Sequence, residues 1–140
     1  MLVRLLYASR ATDTSLAAVE AILTHSRSQN ASCGVTGILC YGMGTFLQAI
    51  EGGRMVISEL YGSIQKDPRH KEIVLLSYEE ISERRFGGWT MGQVNFSRLN
   101  QMTLLKYSEN PKLDPYVMSG KAALALLEEL MATAAIVGRP

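Results

Sequence analysis

Apolar residues in this chain recur with two periods, one typical of β-strands and one typical of α-helices. Nearly continuous apolar runs predict strands at residues 2–9, 36–41, 45–51, 73–81 and 89–96. Apolar positions three and four apart predict one helix that begins after residues 13–15 and ends near residue 30, and another at 54–66. The order of elements therefore predicts an α+β fold: a ferredoxin-like five-stranded mixed sheet with two helices on one face.

Local signals mark where these elements begin and end. Asp13, Thr14 and Ser15 are candidate N-caps for the first helix. Residues 42–44, Gly-Met-Gly, predict a hairpin loop that tolerates positive φ. Pro68 cannot continue the second helix, so that helix is expected to stop just before it.

The C-terminal part of the chain differs in character from the sheet region. We predict a division at residue 96, with residues 97–140 forming a helical extension within the same compact unit. Residues 98–107 are weakly helical, and the helix predicted at 122–135 is apolar around most of its circumference. Such a helix requires burial on more than one side, so we predict that it packs on the open face of the sheet and contributes to a homo-oligomer contact. Its apolar residues are Ala123, Leu124, Leu126, Leu127, Leu130, Met131 and Ala134.

Composition and charge restrict the class of protein. The chain has 140 residues, is 47% hydrophobic and carries a formal net charge of +1, as expected for one globular domain without a nucleic-acid face. It has no long apolar run and no secretion leader, so we expect a cytoplasmic protein without a membrane partner. Cys33 and Cys40 have neither disulfide nor metal spacing, and we expect both to be buried, reduced thiols.

No motif of a familiar enzyme class occurs, and we expect neither a metal site nor an enzyme. A Walker loop, an HExxH sequence and a nucleophile elbow are all missing, and His25 and His70 lack metal-ligand spacing. The informative residue is Gln48, whose amide lies inside an apolar strand and has donors and acceptors to satisfy. Together with Tyr7 and Asn30 it could line a pocket for a planar polar heterocycle. The alternative, that each side chain bonds to nearby backbone, stays open at this point.

Five segments, in matching order and spacing from residue 2 to 96, resemble the BLUF domain (sensors of blue light using FAD). The resemblance also covers the short C-terminal part, which is similar to stand-alone members without a fused output domain. The segments are LLYAS at 5–9, Asn30 followed by GVTG at 34–37, FLQAIEG at 46–52, DPRH at 67–70 and RRFGGWTM at 84–91.

The resemblance implies a flavin site on the sheet face between the two helices. The implied cofactor is FAD, with FMN or riboflavin as alternatives on heterologous expression. Asn30 is implied to hydrogen-bond the isoalloxazine ring, and Tyr7 to donate an electron and a proton to the excited flavin. Gln48, between Tyr7 and the flavin, is implied to exchange its hydrogen bonds.

Further residues are implied to support the ring or carry the signal. Arg69 and His70 are expected to support the flavin ring and chain, and Ser26 to contact the ring. Trp89 and Met91 are implied to belong to the switch strand near Gln48. Their spacing of two places them on the same face of a regular strand, and the sequence leaves open which one lies next to the flavin.

The implied function is a blue-light photoreceptor that signals to a separate regulatory protein by rearranging hydrogen bonds. Alternatives are a ferredoxin-like adaptor that is not photoactive, an acylphosphatase-like hydrolase and a thiol-adduct photoreceptor. The hydrolase is disfavoured because residues 7–10 lack the glycines of an anion loop. Arg84 and Arg85 are interpreted as a solvated pair, and Asp67 with Pro68 as a helix stop.

Overall fold

Strands and helices follow one another along the chain in the predicted order. The computed structural model describes residues 1–95 and 101–133. The strands are β1 (Leu2–Ala11), β2 (Thr36–Gly42), β3 (Thr45–Gly53), β4 (His70–Ile81) and β5 (Gly92–Asn95). The helices are α1 (Leu16–Cys33), α2 (Arg54–Lys66), α3 (Gln101–Tyr107) and α4 (Gly120–Thr133), with a 3₁₀ turn at Pro115–Val117.

The described strands form a single mixed sheet in the order β4-β1-β3-β2-β5. The pairs β1–β3, β1–β4 and β2–β3 are antiparallel, whereas β5 runs parallel to β2. The first four strands and two helices have the ferredoxin-like connectivity, and β5 extends the sheet beyond β2. The predicted fold class is thereby confirmed.

Each face of the sheet has its own apolar core because successive strand residues point to opposite sides. On β1, Leu5 and Tyr7 pack in the cluster that includes residues of α1 and α2. Leu6, between them, packs in the cluster that includes residues of α3 and α4. The C-terminal helices therefore cover the second face of the sheet, as predicted.

The local signals in the sequence act where they were expected. Ser15 caps α1, with its side chain accepting a hydrogen bond from the Ala18 N–H at 3.2 Å. Gly34 ends α1 in the left-handed region at φ 73°. The hairpin between β2 and β3 turns at Met43 and Gly44, which both have positive φ.

The prediction of a strand at residues 89–96 was wrong at its beginning. Strand β5 begins only at Gly92, and Phe96 lies outside the described residues. Trp89 and Met91 precede the strand, and they lie on opposite faces of the sheet: Trp89 in the α3/α4 cluster, Met91 in the α1/α2 cluster. The expectation that they share a face was therefore also wrong.

Side chains of α1 explain why this segment is not a regular strand. Asn30 Nδ2 donates to the Thr90 carbonyl at 2.9 Å, and Arg27 Nε donates to the Met91 carbonyl at 3.2 Å. These carbonyl groups are thus bound by helix side chains, and the parallel ladder with β2 starts one residue later.

Helix α4 buries most of its apolar surface within one chain. Ala123, Leu126, Leu127 and Leu130 are buried, and the flanking apolar residues of the helix pack against the same cluster. The helix begins earlier than predicted. Residues 96–100 and 134–140 lie outside the described part of the chain, so the predicted division at residue 96, Arg98 and Ala134 fall there. No helix in the described ranges is long and apolar enough to cross a membrane.

We expect Gly37→Ala to destabilise the sheet strongly. A Cβ at Gly37 would lie 2.2 Å from the Ala49 carbonyl oxygen, so β2 and β3 would have to separate. The free energy of unfolding, measured by urea titration, should fall by about 2 kcal/mol or more. Gly62→Ala in α2 is the matched control, because its Cβ would meet nothing within 4 Å. That variant should gain about 0.5–1 kcal/mol, and equal effects at the two positions would contradict this explanation.

Candidate functional site

A pocket of about 610 Å³, including the space at its mouth, lies between α1, α2 and the sheet. All six residues that were predicted to bind a cofactor line it, although they come from four separate segments of the chain. They are Tyr7, Ser26, Asn30, Gln48, Arg69 and His70.

The floor of the pocket is a buried row of hydrogen-bonded side chains. Tyr7 on β1 and Gln48 on β3 are direct cross-strand neighbours. The Tyr7 hydroxyl donates to Gln48 Oε1, and Gln48 Nε2 donates to the Met91 thioether sulfur at 3.1 Å. The Gln48 amide is thus bonded on both sides by side chains far away in sequence, and only 5% of the residue is exposed.

Burial keeps the Tyr7 phenol protonated. Desolvation raises the pKa of Tyr7 far above its ordinary value, with smaller contributions from the nearby Tyr61 and Asp67. The Tyr61 ring is tilted against that of Tyr7, with ring centroids 5.8 Å apart. Tyr7 is therefore a neutral O–H donor over the whole physiological pH range.

Asn30 stands at one side of the pocket, where α1 ends. Its backbone carbonyl accepts hydrogen bonds from the N–H groups of Gly34 and Val35, so the helix cap fixes its position. Its Nδ2 donates to the Thr90 carbonyl, and no group in the described ranges donates to its Oδ1. Ser26, one helical turn earlier, lines the same pocket. The free amide oxygen of a buried residue is therefore available to a ligand.

The opposite side of the pocket carries charge. Arg69 Nη2 and Asp67 Oδ2 form an ion pair at 2.6 Å, and the hydrogen bond from Arg69 is the main cause that lowers the pKa of Asp67. His70 Nδ1 is hydrogen-bonded to Ser9 Oγ at 2.9 Å. Burial is the main cause that lowers the pKa of His70, which favours the neutral form of the ring.

Met91, and not Trp89, is the residue beside Gln48. Met91 is fully buried against the α1/α2 face and accepts the Gln48 hydrogen bond. Trp89 packs on the other face of the sheet. The irregular backbone between them therefore places Met91 on the Gln48 side of the sheet and Trp89 on the other side.

Two residues of this region were not foreseen. Arg27 binds the Met91 carbonyl. Its position three residues before Asn30 on α1 could have indicated that the two side chains lie close together. Asp67 was interpreted as a helix stop, yet it also lines the pocket and pairs with Arg69.

Other residues singled out in the sequence lie elsewhere or at the rim. Cys40 is buried as expected, but Cys33 is exposed, which corrects that prediction. Neither thiol is among the described residues that line the pocket, although exposed His25 is. Arg84 and Arg85 are not a free solvated pair: Arg84 donates to Thr36 Oγ1 at 2.9 Å, and Arg85 pairs with Glu128.

The lining suits a planar ring whose edge presents both N–H and C=O groups. Amide, phenol, imidazole and guanidinium groups can complement such an edge, and all four kinds line the pocket. Apolar side chains of α1, α2 and the sheet supply flat contact for the ring faces. These residues are Ile22, Leu39, Ile50, Leu60 and Ile64. The residues present thus fit the isoalloxazine ring of a flavin.

Comparison with known proteins agrees with this chemistry. Residues 2–92 match the family model described as sensors of blue-light using FAD. The chain is 36% identical over 92 residues to photoactivated adenylate cyclase subunit beta of Euglena longa, and this match covers 64% of the chain. It is 34% identical over 88 residues, 62% of this chain, to the blue light- and temperature-regulated antirepressor BluF of Escherichia coli (strain K12). The matched region is only 11% of the cyclase subunit and 22% of the antirepressor.

Solved structures match over nearly the whole chain. The photo-activated state of BlsA superposes with a TM-score of 0.85 at 33% identity, covering 94% of this chain and 95% of that one. The dark-state structure of BlrB, a BLUF protein, superposes with a TM-score of 0.76 at 36% identity. The match covers 96% of this chain and 97% of that one. The likeness therefore includes the C-terminal helices as well as the sheet.

Proposed function

Because this chain belongs to the BLUF family of blue-light sensors, we propose that it binds FAD between α1 and α2 and signals light by rearranging the hydrogen bonds of Tyr7 and Gln48. The observation that carries the proposal is the hydrogen-bonded row Tyr7–Gln48–Met91, of which Tyr7 and Gln48 line the pocket. In this row a single amide connects the phenol to the segment that precedes β5. Asn30, Ser26, Arg69 and His70 are the residues assigned to hold the ring and chain of the cofactor.

When bound, the flavin supplies blue-light absorption and an excited state that accepts an electron from a nearby donor. Tyr7 is the donor in this proposal, and its hydroxyl can both donate and accept hydrogen bonds. Gln48 is the switch, because exchange of its amide oxygen and nitrogen turns a donor into an acceptor at almost constant shape. Because the site is buried, an arrangement that leaves some of its hydrogen-bonding groups unpaired is costly. The Gln48 amide therefore favours two discrete hydrogen-bond arrangements over intermediate ones.

Met91 couples the hydrogen-bond exchange at Gln48 to the backbone segment that precedes β5. Its sulfur can accept a hydrogen bond but has none to donate. When the Gln48 oxygen faces that sulfur, the hydrogen bond is lost, at a cost of about 1 kcal/mol. The exchange therefore favours displacement of Met91 and of the segment that carries it.

We expect the purified protein to be yellow and to undergo a small, reversible red shift under blue light. The physical reason is a new hydrogen bond from this row to a flavin carbonyl. Absorption spectra before, during and after illumination measure the shift, and chromatography of the released cofactor identifies FAD against FMN or riboflavin. A protein that stays colourless after reconstitution with all three flavins would rule the sensor function out.

The finer parts of the proposal concern output and location. We propose a cytoplasmic sensor without catalytic activity of its own, which signals to a separate regulatory protein. Relatives of this chain are named as a cyclase subunit and an antirepressor, which supports a regulatory output. Any light-dependent affinity for the partner is limited by the partner's preference between the two states.

We also propose a homo-oligomer, at least a dimer. Because α4 is largely buried within one chain, the support lies instead at β4, a strand at the edge of the sheet. Its Leu75 and Tyr78 are 48% and 45% exposed. Size-exclusion chromatography with light scattering should give at least twice the monomer mass, in the dark and under light. Tyr78→Lys should reduce that mass, and a strictly monomeric wild-type protein in both conditions would remove the oligomer from the proposal.

A further inference from the structure

A row of polar side chains crosses the sheet on the face that α3 and α4 cover. Glu79 on β4, Arg4 on β1, Glu51 on β3 and Thr36 on β2 are neighbours in the strand register. Arg4 Nε donates to Glu51 Oε2 at 2.9 Å, and Arg4 Nη1 donates to Glu79 Oε1 at 2.7 Å. Arg4 is only 3% exposed and Glu51 is not exposed at all. A buried ion pair thus lies on the face opposite Gln48.

Glu51 also binds the backbone of the loop between β4 and β5, residues 82–91. Its Oε2 accepts from the Arg85 N–H at 3.0 Å, and its Oε1 accepts from the Phe86 N–H at 2.8 Å. Arg84 Nη1 adds a hydrogen bond to Thr36 Oγ1. A buried carboxylate is costly unless its oxygens are hydrogen-bonded, so this set of contacts fixes one end of the loop to β3.

The other end of the same loop contacts Gln48, which lines the pocket. Met91 accepts the hydrogen bond of Gln48, as described above. Between the two ends, the Trp89 N–H donates to the Phe86 carbonyl at 3.3 Å, and the Gly37 N–H donates to the Trp89 carbonyl at 3.1 Å. Trp89 packs in the cluster that contains α4. The loop therefore connects the switch residue to the C-terminal helices around the end of the sheet.

We propose that Glu51 is a positioning residue. Its carboxylate fixes the backbone of Arg85 and Phe86 at one end of the loop, so that a displacement of Met91 at the other end moves Trp89 and helix α4. The inference rests on the proposed light switch at Gln48. Without the carboxylate, the loop relaxes at its Arg85–Phe86 end and absorbs the displacement. Arg85, paired with Glu128 on α4, places the helix against the same fixed point.

A purely structural role would predict something different. If Glu51 only stabilised the fold, its loss would loosen α4 equally in the dark and in the light, and the light-induced difference would persist. A positioning role predicts that the difference itself disappears while the photochemistry on the other face continues. The two roles are therefore separated by a light-minus-dark measurement at α4.

The experiment is hydrogen–deuterium exchange of the full, FAD-loaded chain, in the dark and under continuous blue light, with the absorption shift recorded on the same samples. The variant is Glu51→Gln, which keeps the size of the side chain but places an NH₂ group against N–H donors. Glu72→Gln is the matched control, since it neutralises an exposed partner of Arg10 that does not touch the loop. We expect Glu51→Gln to keep the red shift and to lose about fivefold or more of the light-minus-dark difference in α4, while the control behaves as wild type.

A second variant decides the question if Glu51→Gln does not fold. Arg4→Met combined with Glu51→Leu removes both buried charges, and such replacements are often neutral for stability. It should also keep the red shift and lose the α4 difference. An unchanged α4 difference in a folded variant that photocycles, or no difference in wild type despite a normal red shift, would overturn the positioning role and leave the sensor function standing. A wild-type protein without a red shift would overturn the sensor function first.

Discussion

Replacing Gln48 with leucine is expected to leave a folded, yellow protein whose spectrum does not shift under blue light. Leucine has nearly the volume of glutamine but none of its hydrogen-bonding atoms. The change removes the acceptor of the Tyr7 hydroxyl and the donor to Met91 together. The unpaired Tyr7 hydroxyl should lower stability by about 1–3 kcal/mol, which a domain of this size tolerates.

The measurement is the light-minus-dark absorption difference at equal flavin loading. Gln29→Leu is the matched control, because Gln29 lines the same pocket from the exposed side of α1 and makes none of the contacts of the floor row. That control should keep both the flavin and the full shift. A normal shift in Gln48→Leu would exclude Gln48 as the switch and leave Tyr7 and the backbone as the remaining carriers of the light response.

Tyr7→Phe is expected to block the normal photocycle as completely. The substitution deletes a single oxygen atom from a fully buried ring and leaves its packing in place. It removes the proposed donor of the electron and proton, and it leaves Gln48 Oε1 without the hydrogen bond that orients the amide. Because burial raises the pKa of Tyr7, the wild-type response should show no loss from Tyr7 ionisation as the pH rises through mildly alkaline values.

Transient absorption spectroscopy after a blue flash tests the Tyr7 prediction. Tyr61→Phe is the appropriate control: its ring lies against that of Tyr7, but Tyr61 is partly exposed and makes no hydrogen bond to Gln48. The control should form the red-shifted state with wild-type yield. Equal loss in both variants would indicate a general effect on ring packing, and wild-type behaviour of Tyr7→Phe would assign the donor to another residue.

Much of the fold is readable from the sequence because its signals are local. The helix at 54–66 has an apolar stripe and a proline beyond its end, and the structure gives it the same limits. The hairpin at Met43 and Gly44 is likewise decided by neighbouring residues. Arrangements that depend on distant partners are not readable in this way. Strand β5 starts late because Asn30 and Arg27, about 60 residues earlier, bind the carbonyl groups before it.

The site shows the same division between local and distant causes. The resemblance to known segments identified the six predicted residues around the pocket. Their convergence is a property of the fold: the strand register pairs Tyr7 with Gln48, and α1 brings Ser26 and Asn30 to the same pocket. Glu51 belongs to one of the matching segments, but no role was assigned to it from the sequence. Its burial follows from three groups that only the folded chain brings together: Arg4 and the backbone of Arg85 and Phe86.

The sheet is one strand layer thick, and this has a consequence for how such a protein can be altered. On β3, Gln48 faces the pocket while Leu47 and Ala49 face the C-terminal helices. On the proposed function, substitutions on the face that α3 and α4 cover can change the surface offered to a partner while the residues that line the pocket keep their places. Residues 82–91 are the exception, because they touch both faces. A designer who wishes to exchange the output should leave those ten positions untouched and rebuild only the surface beyond them.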